Sequence, residues 1–213
     1  MLSVADIRKE YRKESLLEKD MYDHPLQQFH QWWQQAIDSK IEEVNAMTLA
    51  TVDDKGCPAA RIVLLKGYDE KGFVFFTNYE SDKGKEIAAN NNVCLVFFWK
   101  ELERQVRVTG KAIKISSEES DDYFNSRPFE SRVGAWSSNQ SCQITSREEL
   151  NKNFEAASLR FSKEAIFRPS HWGGYVVDPQ SIEFWQGRPN RLHDRILYEK
   201  DDIGRWRFVR LSP

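Results

Sequence analysis

A chain of 213 residues, 40% hydrophobic and 30% charged, is long enough to bury a sizeable core and has an ordinary soluble balance. Its net charge of −2 gives no global basic field, which disfavours nucleic acid as a partner and requires any anion site to be local. Cys57, Cys94 and Cys142 form no CxxC pair, the histidines show no metal-ligand spacing, and neither a signal sequence nor a membrane-spanning apolar run is present, so a cytoplasmic protein with reduced thiols and no metal is expected.

Residues 3 to 20 are rich in Lys, Arg and Glu and read as an exposed or partner-packed helix, giving an N-terminal helical segment over about 3–40. Asp23-His24-Pro25 starts a second helix, since proline suits a first turn. Leu26, Phe29, Trp33, Ala36 and Ile37 then recur at helical spacing, and Trp32 and Trp33 read as core packing in preference to cofactor contacts. From Ala46 the pattern changes to strands. Runs over 47–52, 59–66, 73–77, 93–99 and 105–115 are punctuated by Asp53-Asp54-Lys55-Gly56 and Asp69-Glu70-Lys71-Gly72, hairpin turns in which glycine supplies positive φ. Late strands at 174–177, 182–185, 191–198 and 206–209 complete an antiparallel meander closing toward a barrel. A short helix covers 83–90, and two S-x-x-E capping boxes, Ser116 to Glu119 and Ser146 to Glu149, start helices near 117–125 and 147–162. The fold class is therefore mainly β with flanking helices (α+β), in one domain spanning 1–213.

Three constellations carry chemistry. Arg61-Ile62-Val63-Leu64-Leu65-Lys66 is a strand with a basic residue at each end. Their odd separation turns them to opposite faces, so the strand either serves two anions or is a core strand with snorkelling ends. Phe76-Thr77 followed by Ser81-Asp82-Lys83 is a strand end feeding a helix N-terminus, which presents free N–H groups and a positive dipole to an anion. Tyr123, Arg127 and Ser131 surround a helix end that Pro128 stops; they form either a phosphate clamp or a capped end with an exposed Arg. No GxGxxG or Walker A loop occurs.

The stretch from Ile182 to Arg195 is the most specific. Ile182 to Trp185 favours a strand, Gln186 to Asn190 a turn, and beyond it Arg191, His193 and Arg195 alternate with Leu192 and Asp194. If extended, those basic groups share one side, about 7 Å apart, where like charges repel by roughly 2 kcal/mol. An anion there would relieve them; a solvated edge strand facing acidic residues is the alternative. Ile-Glu-Phe-Trp-Gln, four residues, then Arg-Leu-His-Asp-Arg resembles the signature of the pyridoxine (pyridoxamine) 5′-phosphate oxidase family, FMN enzymes that make pyridoxal 5′-phosphate.

That resemblance runs from about residue 8 to the C-terminus and implies an antiparallel FMN-binding split β-barrel, homodimeric with FMN in the subunit interface. It implies FMN contacts from Arg61, Ile62, Val63, Leu64, Leu65 and Lys66, from Phe76, Thr77, Asp82 and Lys83, and from Gln105, Gln140, Ser141, Trp185 and Arg195. Lys66, Tyr123, Arg127 and Ser131 would hold the substrate phosphate, Arg191 and His193 would cover the pyridine ring over the flavin, and Arg8 and Tyr11 would fold over the substrate. The family usually has Ser-Arg-Lys where this chain has Ser81-Asp82-Lys83, so a carboxylate stands where an arginine is expected. The implied reaction is oxidation of pyridoxine and pyridoxamine 5′-phosphates by O2. The rivals are another split-barrel flavoprotein, such as a flavin reductase, and a non-catalytic carrier of pyridoxal phosphate.

Overall fold

The computed structural model describes residues 3, 4 and 10–213. In chain order the elements are α1 (Pro25–Asp38), β1 (Ala46–Val52), β2 (Pro58–Leu64), β3 (Gly67–Asp69), β4 (Gly72–Asn78), α2 (Asp82–Ala89), β5 (Asn92–Trp99), β6 (Arg104–Lys114), α3 (Ser117–Ser126), α4 (Phe129–Ser137), α5 (Arg147–Phe161), β7 (Trp172–Gln186), β8 (Asp194–Lys200) and β9 (Trp206–Leu211). The sheet runs β2-β1-β5-β6-β7-β4-β3, with β8 and β9 added beside β7. It is not a meander in sequence order, because β3 and β4 lie at the far end, beside β7. Leu65 and Lys66 alone join β2 to β3, the two ends of that order. So short a link spans about 10 Å, so the end of β2 and the start of β3 lie close together within the second unit.

The residues pack as two compact units. The first comprises the residues up to Leu49, Cys94–Gly110 and Pro179–Pro213. Here α1 buries Phe29, Trp32 and Ala36, and Phe29 meets Phe97 at 5.2 Å between ring centres while Trp32 stands edge-on to Phe184 at 5.2 Å. Trp32, not Trp33, is the fully buried partner. His24 caps this helix through Nδ1, which accepts the Leu26 N–H at 3.3 Å, and Pro25 takes the first turn. Strands β8 and β9 pair over Arg195–Lys200 and Trp206–Leu211.

The second unit comprises Ala50–Val93 and Lys111–Asp178. Phe73 and Phe75 of β4 are fully buried, and Phe75 stacks on Tyr175 at 5.6 Å. Gly72 enters β4 with φ +132°, where an added Cβ would sit 2.0 Å from the Val177 carbonyl oxygen, so only glycine fits. Ser116 and Glu119 form both bonds of the expected capping box at the start of α3. The second box forms by half: Ser146 accepts the Glu149 N–H, but the Glu149 carboxylate turns to the Thr145 N–H and hydroxyl.

Three further expectations are corrected, and one helix is added. Residues 10–17 are not helical; this stretch is irregular apart from a 3₁₀ turn at Glu18–Asp20, and regular helix begins at Pro25. Its backbone is held from outside, with Arg12 and Lys13 N–H groups donating to Glu103 and that of Leu16 to Asp194. The expected strands at 174–177 and 182–185 are one strand. Its first part pairs with β4 over Trp172–Val177 and its second with β8 over Ser181–Gln186. Pro179 falls in the gap between those ladders, where the missing N–H breaks no bond of either ladder. A helix not expected from sequence, α4, follows Pro128, which stops α3 and is itself the N-cap of the next helix. Finally, 191–198 is not one strand, since β8 starts at Asp194. Among the described residues no helix is long and apolar enough to cross a membrane.

Candidate active site

Within the second unit a cavity of about 710 Å³ opens between β2, β4, α2, α3 and α4. Ile62, Val63, Leu64 and Lys66 reach it from β2 and the link that follows, Phe76 and Thr77 from β4, and Lys83 from α2. Tyr123 and Arg127 reach it from the end of α3, Ser131 from α4, and Gln140 from the loop beyond. All were expected on the ligand. Arg61, Leu65, Asp82 and Ser141 are not in the wall. Leu65 is a core side chain, and Arg61 turns onto Glu86 of α2 at 2.9 Å. Asp82 is exposed at the start of α2, with its backbone N–H donating to Ser141 Oγ at 3.2 Å.

The wall is aromatic on one side. Phe76 stacks on Tyr123 with centres 3.8 Å apart, and Trp172 lies parallel to both, 5.4 Å from Phe76 and 6.2 Å from Tyr123. The Arg127 guanidinium covers the Trp172 ring at 4.5 Å. Its NH1 is buried and has no hydrogen-bond partner among the described residues. Burial lowers its proton affinity, while Tyr123 raises it. Lys83 likewise is pushed down by burial and then by the Arg61 charge, and is pulled back by Asp82 and Glu86. Its ammonium donates to Gln140 Oε1 at 2.9 Å and Ser81 Oγ at 3.2 Å. Trp172, Asn78 and Ser138 also line the cavity and were not expected there. For Trp172 the available signal is its place in His171-Trp172-Gly173-Gly174, where it opens β7.

The other expected residues belong to the first unit. Tyr11, Trp185 and His193 form an aromatic trio, with Trp185 and His193 centres 4.6 Å apart and Tyr11 edge-on at 5.7 and 6.0 Å. Gly187 leaves room for Tyr11; a Cβ there would stand 2.7 Å from Tyr11 Cγ. His193 Nδ1 accepts the Arg188 N–H at 3.1 Å, which places the ring proton of neutral imidazole on Nε2. Burial, then the charge of Arg191, push this imidazole below its ordinary value, with Asp194 opposing.

Arg191 does not share a strand face with His193 and Arg195. It ends a 3₁₀ turn at Pro189–Arg191 in which Asn190 and Arg191 have φ of 57° and 63°. Arg195 is committed to Glu183, donating at 2.9 and 3.2 Å to its two carboxylate oxygens, and Arg107 pairs with the same buried Glu183. Gln105 is half-buried on β6. Arg8 lies outside the described residues.

Residues 33–161 match the family model for pyridoxamine 5′-phosphate oxidase, and residues 172–213 match that for the pyridoxine 5′-phosphate oxidase C-terminal dimerisation region. A pyridoxine/pyridoxamine 5′-phosphate oxidase of Paraburkholderia phytofirmans is 56% identical over 214 residues, covering 100% of both chains. One from Cyanothece is 53% identical over 212 residues, covering 100% of this chain and 99% of that one. Among solved structures, PhzG of Burkholderia lata in complex with tetrahydrophenazine-1-carboxylic acid has a TM-score of 0.88 at 26% identity, covering 94% of this chain and 99% of its own. A pyridoxamine 5′-phosphate oxidase-related, FMN-binding protein of Nostoc punctiforme has a TM-score of 0.70 at 17% identity, covering 91% and 100%. These two likenesses establish the expected split-barrel fold. On the family models and the full-length identities, the chain belongs to the pyridoxine/pyridoxamine 5′-phosphate oxidase family of oxidoreductases.

Proposed function

We propose that the chain is an FMN-dependent oxidase of pyridoxine 5′-phosphate and pyridoxamine 5′-phosphate. The alcohol, R–CH2OH, and O2 give R–CHO and H2O2; the amine, R–CH2NH2, with O2 and water gives the same aldehyde, H2O2 and NH3. The observation that carries the reading is the buried, unpartnered Arg127 NH1 in an aromatic cavity that also holds Lys66 and Lys83. A desolvated guanidinium without a partner is costly, and a phosphate oxygen satisfies it with a charge-assisted bond.

Lys66, Tyr123, Arg127 and Ser131 hold the substrate phosphate in this reading. Lys83, Thr77 and Gln140, with Ile62 to Leu64, hold the flavin, and their mix of cation, hydroxyl, amide and apolar surface fits its phosphate, ribityl chain and ring. Arg61, Gln105, Trp185 and Arg195 complete its surroundings. When bound, FMN would supply the redox chemistry by which the substrate's C4′ carbon is oxidised at the expense of O2. The chain supplies position: His193, with its proton on Nε2, and Arg191 orient the ring, and Tyr11 closes over them. The dimerisation-region match supports a homodimer, and the flavin is assigned to its subunit interface.

The test is an aerobic assay of purified protein with added FMN, following pyridoxal 5′-phosphate from pyridoxine 5′-phosphate. FMN-dependent product with equimolar peroxide is expected. Bound flavin without product would point to another flavoprotein activity, and pyridoxal phosphate binding without flavin to a carrier.

A further inference from the structure

We propose that Glu86 is a resident counter-ion for Arg61 that an incoming phosphate group has to displace, and that it weakens this chain's hold on a phosphorylated flavin. The inference rests on the flavin reading above.

Arg61 stands on β2 just before Ile62 and Val63, which line the cavity; it is not itself in the wall, but its charge acts on Lys83, which is. Its NH2 donates to Glu86 Oε2 at 2.9 Å, and its NH1 donates to Thr51 Oγ1. The same Glu86 oxygen accepts the Thr51 hydroxyl at 2.5 Å. This is a shielded pair: the side chains are 22% and 14% exposed, so solvent screens it less than a surface ion pair. Lys83, in the cavity wall, is three residues before Glu86 on α2, a spacing that puts both on one helix face. Arg61, Asp82 and Glu86 all act on the Lys83 ammonium, so the four groups form one charge cluster. It holds two positive and two negative charges.

A phosphate dianion approaching Arg61 and Lys83 alone would meet two positive charges. With Asp82 and Glu86 in place it meets none in sum. To bond the phosphate, Arg61 NH2 gives up Glu86 or shares it. Asp82 is exposed and screened, whereas Glu86 is in contact with the arginine, so Glu86 is the stronger competitor. The carboxylate also offsets the burial cost of Arg61 while the phosphate is absent, which accounts for its presence beside an anion site.

The test is titration of apo protein with FMN and, separately, with riboflavin, read by flavin fluorescence without substrate. Glu86→Gln keeps the shape and one acceptor while removing the charge. Its dissociation constant for FMN is expected to fall about tenfold or more, and that for riboflavin, which has no phosphate, to stay within about twofold. An FMN constant that is unchanged or weaker in Glu86→Gln overturns the proposal, because Glu86 would then be holding Arg61 in its binding pose. Equal tightening of riboflavin also overturns it. A structure of the wild-type chain with FMN needs no variant: Arg61 is expected on the phosphate, and an Arg61 still bonded only to Glu86 refutes the exchange. A wild-type chain that binds neither flavin would instead bring down the flavin reading, and this inference with it.

Discussion

Arg127→Met separates binding from stability at the cavity. Methionine keeps the length and apolar contact of the side chain and removes the guanidinium. In the free protein that group is half-buried over Trp172, with NH1 buried and unpartnered. Leaving a buried donor unsatisfied costs about 1–3 kcal/mol, and more when it is charged. The cation–π contact returns about 0.5–2 kcal/mol. The two nearly cancel, with the burial cost the larger, so Arg127→Met should leave the unfolding temperature unchanged or raise it slightly. Binding moves the other way. Two charge-assisted bonds to a phosphate, at about 1.5–3 kcal/mol each, are lost, which is two to four powers of ten in affinity. The assay pairs calorimetric binding of pyridoxal 5′-phosphate with thermal unfolding of the ligand-free protein. A variant that unfolds several degrees lower while binding the phosphate normally would refute the reasoning and make Arg127 a brace for Trp172.

Asp82→Arg should tighten FMN by about three- to tenfold, since it replaces a negative neighbour of Lys83 with a positive one; an unchanged or weaker constant rejects this. The same change should cost a few tenths of a kcal/mol in stability, because Asp82 stands favourably in the first turn of α2. Gly187→Ala has no backbone penalty to contend with, but its Cβ would press on Tyr11 at 2.7 Å. It should raise KM for the phosphorylated substrate as much as Tyr11→Ala does, and the double variant should be no worse than either single one; additive effects would sever Gly187 from Tyr11. His193 should titrate below the ordinary histidine value in a proton NMR titration, and a value at or above it refutes the burial argument. The sign follows: the unfolded chain takes this proton first, so the contribution of neutral His193 to stability is lost as pH falls from the ordinary histidine range toward the lowered folded value. Turnover should show its acid limb in that same window, since imidazolium loses the Nδ1 lone pair that the Arg188 N–H uses.

What was legible in the sequence was local. Alternating β-branched and aromatic runs located the strands, and Ser116 with Glu119 located α3, because each signal is completed within a few residues. Most of the failures involve a partner far along the chain or a local backbone conformation that residue types do not announce. Residues 10–17 look helical by charge content, yet their N–H groups are taken by Glu103 and Asp194. The row of Arg191, His193 and Arg195 is broken by left-handed backbone at Asn190 and Arg191. The cavity is the same case in reverse: Lys66, Tyr123, Arg127 and Ser131 come from a link and two helices, and nothing in their spacing announces that they meet. Charge counting was the least informative guide, because pairing decides what a charge is for. Arg61 and Arg195 were expected on the ligand with Arg127, and in sequence the three look alike. In the structure Arg61 leans on Glu86 and Arg195 on Glu183, while Arg127 has a buried nitrogen with no partner among the described residues. A protein interior rarely leaves such a group unsatisfied unless something else is meant to satisfy it. Of the three arginines, Arg127 is therefore the one with a buried nitrogen left without a partner among the described residues, and that supports the proposed phosphate assignment of the cavity.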